Sequence, residues 1–332
     1  MRAFGAINPV YGISVVVPLF QCSESIAELT SRLLAILPTL SDSFEIIYVN
    51  DASPSNDWEI VVELATRHPQ IRGVNLSRNF GQHMAITAGL TYCRGRWIVV
   101  MDGDLQDQPE CIPLLYQKAQ EGFDTVFGRR VERQDTLIKR TTSRLATRLF
   151  DYLTDSTTDG SAGNFSISER RVIDNYLRLT EHYRLFPLLI RWQGFRIGYV
   201  DVEHGKRAYG RSSYSYRQLI NLALDAIVSQ SNRPLKLSIK FGFVLTTLSF
   251  IYLCWLVTIK LLFEVPLGWT SLMAAIIFIG GLIFANLGLI GLYIGKIYDE
   301  VKNRPLFIVS DEVGQTLRQE GATSPAEVGE GQ

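Results

Sequence analysis

Two long uncharged runs toward the carboxyl end constrain this chain most. Phe241 to Ile259 holds 19 residues without a charged side chain, and Val265 to Ile294 holds 30. A helix needs about 20 such residues to cross the hydrocarbon core of a bilayer, and the second run allows a tilted span with turns to spare. Only Lys260-Leu261-Leu262-Phe263-Glu264 separates them. Both exceed the usual buried helix and they follow each other directly, so the sequence predicts a hairpin of two membrane spans. Arg233, Lys236 and Lys240 precede the pair, and Lys296, Lys302 and Arg304 follow it. By the positive-inside tendency both flanks are cytoplasmic, with the short loop on the far side. The large segment before the hairpin is then cytoplasmic as well.

The rest of the 332-residue chain is long enough for one substantial domain. Basic and acidic residues balance at 33 each, so no global field favours nucleic acid. Cys22, Cys93, Cys111 and Cys254 are scattered, without CxxC pairing, as expected of reduced thiols and consistent with a cytosol-facing soluble part. The amino terminus lacks a charged segment followed by an apolar core and cleavage site, so no signal peptide is expected. No internal repeat is apparent.

From Gly12 to about Asp107, short apolar strands alternate with helical patterns. Strands are expected at Ile13–Val17, Glu45–Val49, Ile71–Leu76 and 97–101, with helices at Glu24–Leu37, Asp57–Arg67 (capped by Ser55 or Asn56) and Gly81–Cys93. Strands joined by helical crossovers make a mainly parallel, doubly wound sheet. Beyond Asp124–Gly128 comes a basic, helical segment from Arg129 to Asp151, then an irregular strand from Ser161 to Ile167 crossing the site. From Tyr214 to Ser231, Tyr216, Leu219, Ile220, Ala223, Leu224, Ile227 and Val228 recur at helical spacing. That amphipathic helix suits either the membrane interface or packing on the soluble domain. The small, acidic tail from Gly314 reads as disordered.

Chemistry concentrates where the fourth strand ends. Trp97-Ile98-Val99-Val100-Met101 drives into Asp102-Gly103-Asp104. Ligands of open α/β sheets bind at the carboxyl ends of strands. Two carboxylates there repel unless a cation joins them, and oxygen donors favour Mg²⁺ or Mn²⁺ carrying a diphosphate. A solvated Asp-Gly turn is the bland alternative. Pro18-Leu19-Phe20 ends the first strand and Asn50-Asp51-Ala52-Ser53 the second, on the same edge; Asp51 would there accept from a base or ribose hydroxyl, with helix or turn capping by Asp51 or Ser53 as the alternative. Neither GxxxxGK[ST] nor GxGxxG occurs, so no phosphate loop or dinucleotide fingerprint is supported.

Ser14 to Glu24, Tyr48 to Asp57, Leu76 to Gly89 and Asp102 to Glu110 resemble family 2 glycosyltransferases of the GT-A fold. To about Ser310 the chain resembles more narrowly the polyprenyl-phosphate glycosyltransferases, such as dolichyl-phosphate mannose synthase and bacterial undecaprenyl-phosphate sugar transferases. Two late signatures carry this: Arg207-Ala208-Tyr209-Gly210-Arg211-Ser212-Ser213-Tyr214, and Gly291 to Val301 followed by Arg304-Pro305. The resemblance implies a GT-A catalytic domain over 1–213, an amphipathic juxtamembrane helix over 214–234, two transmembrane helices over 235–297 and a cytoplasmic tail over 298–332. It implies inverting transfer from a UDP- or GDP-sugar, UDP-glucose first, to polyprenyl phosphate, with Mg²⁺ or Mn²⁺ on Asp102, Asp104 and Gln106. Nucleotide-sugar contacts fall on Pro18, Phe20, Glu24, Asp51 and Asp102. Lipid-phosphate contacts fall on Arg130, Arg140, Arg207, Arg211 and Ser212, and Arg207 and Asp159 join Asp104 as catalytic candidates. For Arg130 and Arg140 a solvated basic face near anionic lipid is the competing account.

The chain also departs from the family pattern. Phe20-Gln21-Cys22 stands where relatives carry Tyr-Asn-Glu, Glu24 substituting. Asn50-Asp51-Ala52-Ser53 replaces Asp-Asp-Gly-Ser, Asn164-Phe165-Ser166 stands where Phe-Arg is usual, and Ser213 replaces a lysine. His83 reads as an ordinary helix residue. A processive polysaccharide synthase is one alternative, although Leu188 stands where the glutamine before Arg191-Trp192 belongs; a non-catalytic nucleotide-sugar-binding membrane module is the other. Gly280, Gly281, Gly288, Gly291 and Gly295 permit close helix approach on the second span, and the resemblance suggests a homotetramer in the inner or plasma membrane.

Overall fold

The computed structural model describes residues 11–130, 162–202, 231, 233–262 and 268–314. Its centre is an eight-stranded sheet in the order β7 (Ile197–Val202), β5 (Thr125–Arg130), β6 (Ala162–Glu169), β4 (Gly95–Val100), β1 (Tyr11–Leu19), β2 (Phe44–Asn50), β3 (Ile71–Leu76) and β8 (Val309–Val313). β1 (Tyr11–Leu19), β2 (Phe44–Asn50), β3 (Ile71–Leu76) and β4 (Gly95–Val100) run parallel. They are linked by α1 (Ser23–Ile36), α2 (Asp57–Arg67) and α3 (Gln82–Tyr92). The expected doubly wound arrangement is therefore present, and its helix and strand boundaries differ by only a few residues from those read in the sequence.

The near-continuous apolar strands follow from burial on both faces. Along β1, Ile13, Val15, Val17 and Leu19 face a core shared with Ile26, Leu29 and Leu33 of α1 and Val61 of α2. Val16, one residue out of phase, faces the opposite core with Ala85, Ile86 and Leu90 of α3. The second half adds α4 (Ile112–Gln120), β5 (Thr125–Arg130), β6 (Ala162–Glu169), α5 (Arg170–Arg178), α6 (Phe186–Trp192) and β7 (Ile197–Val202). β6 is antiparallel to both β4 and β5, which makes the sheet mixed.

Several details depart from the sequence reading. Arg129 and Arg130 end strand β5 instead of opening a helix, because they pair with Asp201 and Val202 of β7. Asn56 flanks α2 as expected, yet makes no side-chain cap; Ser55 Oγ donates instead to Asp57 Oδ1 at 2.7 Å. The segment after the second span is not simply a tail. Its β8 (Val309–Val313) pairs antiparallel with β3, backed by Asn75 Nδ2 to Asp311 Oδ2 at 3.3 Å and Tyr92 Oη to Glu312 Oε1 at 2.5 Å. The amphipathic stretch 214–230 and the acidic tail from 315 lie outside the described residues.

α7 (Arg233–Leu262) and α8 (Trp269–Val301) carry the two apolar runs. Both are long and apolar enough to cross a membrane. Their large side chains face outward, Phe243 at 72% and Phe284 at 76% exposure, an arrangement that water penalises and lipid does not. Ser238 and Asn286 hydrogen-bond between them, and Tyr293 Oη reaches the Ser231 carbonyl at 2.8 Å.

Candidate active site

Three loops meet at the carboxyl edge of β1, β2 and β4. Each contains a non-glycine residue in the left-handed region: Gln21 at φ 56°, Ala52 at φ 47° and Leu105 at φ 61°. Such strain costs of order 1–3 kcal/mol per residue and persists where surrounding structure dictates it. The ties that dictate it are visible. Gln21 N–H donates to Ser53 Oγ at 2.9 Å and Cys22 N–H to Asp57 Oδ2 at 3.1 Å, joining the first loop to the second. Ser25 Oγ lies 2.6 Å from the Gly103 carbonyl, joining α1 to the Asp102–Asp104 turn. Arg32 grips Glu110 through two nitrogens, Nε to Oε1 at 2.8 Å, and holds the far end of that turn.

Gly103 separates the two aspartates for a steric reason. A Cβ there would stand 2.8 Å from Leu19 Cδ2 and 3.3 Å from the Pro18 carbonyl. Its absence lets the turn lie against the end of β1. Asp104 Oδ1 accepts the Gln106 N–H at 3.1 Å, and Asp104 faces a cleft of about 190 Å³ with Gln21, Cys22, Ser23, Glu24, Ser25 and Ser55. Burial pushes the Cys22 thiol up to about 11. The thiol is therefore protonated and a poor nucleophile at neutral pH.

Asp102 is approached from the other side. Gln82 Nε2 donates to its Oδ1 at 2.7 Å, and Asn164 Nδ2 reaches the same oxygen at 3.5 Å. The register explains Asn164: β6 pairs Ser166 with Val100, so two residues further on Asn164 lies opposite Asp102. Asp51 is buried, and its oxygens accept the Phe80 N–H at 2.7 Å and the Gly81 N–H at 2.8 Å. Burial raises its pKa, countered by those two donors and by the Arg78 charge. A carboxylate has about four acceptor sites, so Asp51 can brace the start of α3 and still accept from a nucleoside.

The expected site residues thus divide clearly. Asp104 and Glu24 share one cleft, while Asp102, Asp51, Gln106 and Pro18 stand on the same edge, Pro18 inside β1 opposite Val49. Phe20 is 43% exposed beside them. Arg130 ends β5; Arg140, Asp159, Arg207, Arg211 and Ser212 lie outside the described residues. Gln82 and Asn164 were overlooked as site residues, though both stand in stretches compared with the family. His83 is partly buried, its imidazole is desolvated to a pKa of about 4, and its Nδ1 accepts the Phe186 N–H at 3.4 Å.

Asp102 and Asp104 offer oxygen donors only, and no cluster of three His, Cys, Asp or Glu side chains forms among the described residues. That donor set fits a hard divalent ion that keeps waters and diphosphate oxygens.

The model of glycosyl transferase family 2 matches residues 14–177. An uncharacterized glycosyltransferase, sll0501, from Synechocystis sp. is 37% identical over 302 residues, which cover 90% of this chain and 95% of that one. An undecaprenyl-phosphate 4-deoxy-4-formamido-L-arabinose transferase from Klebsiella pneumoniae is 34% identical over 311 residues, covering 92% and 95%. Among solved structures, glucosyl-3-phosphoglycerate synthase from Mycobacterium tuberculosis, in complex with Mn²⁺ and UDP-glucose, matches with a TM-score of 0.47 and 17% identity over 66% of this chain and 78% of that one. The chain belongs to glycosyltransferase family 2, and the protein is a glycosyltransferase with two candidate membrane helices.

Proposed function

We propose that this enzyme transfers one sugar from a nucleotide sugar to polyprenyl phosphate, undecaprenyl phosphate in a bacterium, with inversion at the anomeric carbon. The observation that carries this reading is the Asp102–Asp104 turn, braced by Gln82, Asn164 and Ser25, in a chain that also bears two outward-apolar helices of membrane length. The name of the Klebsiella relative, which contains both a polyprenyl phosphate and a sugar, agrees with it.

In the step itself, an acceptor phosphate oxygen attacks the anomeric carbon. The bond from that carbon to the diphosphate oxygen breaks, and the nucleoside diphosphate leaves. The acceptor is already anionic near neutral pH, so no strong base is needed. A divalent ion on Asp102 and Asp104, with Gln106 in support, would neutralise charge developing on the leaving diphosphate. Asp51 and Glu24 take the nucleoside and sugar end, and Pro18 and Phe20 wall it. Arg130, Arg140, Arg207, Arg211 and Ser212 take the acceptor phosphate, a task suited to arginine forks, and Asp159 orients it.

The strand pairing of β8 with β3 supports a hairpin whose two ends share the side of the catalytic domain, cytoplasmic by the basic flanks. A Cβ added at Gly280, Gly281, Gly288, Gly291 or Gly295 would meet nothing within 4 Å; a homotetramer would use that smooth face. UDP-glucose is the donor we place first, with nucleotide-linked 4-deoxy-4-formamido-L-arabinose beside it. The test is product formation by purified protein with undecaprenyl phosphate, Mg²⁺ or Mn²⁺, and a panel of UDP- and GDP-sugars. One donor should give a mono-glycosylated lipid phosphate of inverted configuration, lost with chelator. A growing polymer, a retained anomer or no lipid product from any donor would overturn the reading.

A further inference from the structure

A second, larger cavity of about 610 Å³ lies apart from the aspartate cleft and, among the described residues, shares no lining residue with it. Its floor is the last turns of α8, with Tyr293 and Lys296, and its walls are His182 and Tyr183, Arg304, and the β3–α3 connection at Arg78 and Phe80. The stretch Gly291–Val301 with Arg304-Pro305, which carries much of the family resemblance and plays no part in the proposed chemistry, supplies most of this lining. We propose that this cavity binds the phosphate-bearing headgroup of an anionic phospholipid. The proposal rests on the membrane reading of α7 and α8, and goes beyond the transfer reaction.

Position supports it first. Tyr293 and Lys296 stand where an apolar span gives way to polar residues, the level at which aromatic and basic side chains meet headgroups. Charge supports it next. Among the described residues, Arg78, Lys296, Lys302 and Arg304 line the cavity together with Asp299 and Glu300. Lys302 Nζ stands 3.9 Å from Asp299, and Glu300 accepts the His182 main-chain N–H at 2.9 Å. The His182 ring adds to the positive balance. Its Nδ1 lies 3.1 Å from Glu300 Oε2 and its Nε2 lies 2.7 Å from the Arg304 carbonyl. Two acceptors on one ring are both satisfied only by the imidazolium. Burial opposes that form, but the hydrogen bonds to Glu300 and Arg304 outweigh it and raise the pKa.

Phe80, Tyr183 and Tyr293 give the same cavity apolar walls for the start of an acyl chain. Its volume falls in the range of pockets that enclose small ligands. One wall also bears on the donor cleft, because Phe80 and Gly81 brace Asp51 and the next residue, Gln82, braces Asp102.

The test uses the full-length protein in nanodiscs of phosphatidylcholine doped with phosphatidylglycerol, with retained lipid counted by native mass spectrometry after transfer to mild detergent. Wild type should retain phosphatidylglycerol over phosphatidylcholine, and Lys296→Ala/Arg304→Ala should lower that retention about tenfold or more. Equal retention of the two lipids, equal retention by the variant, or displacement of phosphatidylglycerol by equimolar undecaprenyl phosphate would overturn the proposal. Should the double variant misfold, photoactivatable phosphatidylglycerol on wild type decides. Labelled peptides holding Tyr183 or Tyr293 support the site, and labels confined to the outer faces of α7 and α8 overturn it. Turnover measured in parallel separates this failure from failure of the transfer reading.

Discussion

Gln82 Nε2 hydrogen-bonds Asp102 Oδ1 at 2.7 Å, joining the first turn of α3 to the end of β4. The bond occupies one lone pair of a carboxylate proposed above as a metal ligand and restricts its rotation. Partners of metal ligands typically contribute 10–100-fold to metal affinity or activity. Gln82→Leu should therefore cost about 10-fold or more in turnover at limiting Mg²⁺, with part of the loss recovered at saturating Mg²⁺. A metal titration checks this. An unchanged half-saturating concentration would detach Gln82 from the site.

Asp104 Oδ1 is held by the Gln106 N–H, and its carboxylate faces the cleft shared with Glu24. Asp104→Asn keeps the size and the acceptor oxygen but removes the charge. Turnover should fall by at least about 100-fold, while membrane insertion and thermal unfolding stay close to wild type. Wild-type turnover in the variant would refute the metal assignment.

Much of this edge was legible in advance because period and position sufficed. Trp97 to Met101 reads as a doubly buried strand, and whatever follows such a strand in a parallel sheet stands at its carboxyl end. Gly103 between two aspartates was visible, but its contact with Leu19 was not, since sequence carries no distances between strands. Gln82 and Asn164 escaped notice because neither carries charge or periodicity, and their partner lies 20 and 62 residues away. β8 escaped for a related reason. Val309-Ser310-Asp311-Glu312-Val313 is short and polar, and only its β3 partner, more than 230 residues back, makes it a strand.

His83 supplies a pH signature unrelated to catalysis. Burial lowers its folded pKa to about 4, below the 6.5 of an exposed imidazole. A depressed value means that the associated stability is complete above pH 6.5 and is lost as pH falls toward 4. The shift corresponds to roughly 3 kcal/mol across that window. His83→Asn keeps an acceptor for the Phe186 N–H and cannot gain a proton. Thermal unfolding of the variant should therefore vary less with pH between 6.5 and 4 than that of wild type. Parallel profiles would show that His83 is not the group responsible.

Ala52 stands at φ 47° in the loop after β2, at the position where the family pattern carries glycine. An L-residue in that region costs about 1–2 kcal/mol, and Asp51 and Ser53 on either side are both held, by Phe80, Gly81 and Asn50. The backbone cannot relax without breaking those bonds. Ala52→Gly removes the steric cost but gives the unfolded chain more freedom, worth about 0.5–1 kcal/mol. The net expectation is stabilisation by about 0.5–1 kcal/mol, or a rise of roughly 1–4 °C in Tm. Because the loop is held by its neighbours and not by the Ala52 methyl, nucleotide binding should change little. A lower Tm would mean that the methyl packs usefully despite its backbone. An unchanged Tm with weaker nucleotide binding would mean instead that alanine stiffens the Asp51 loop for its ligand.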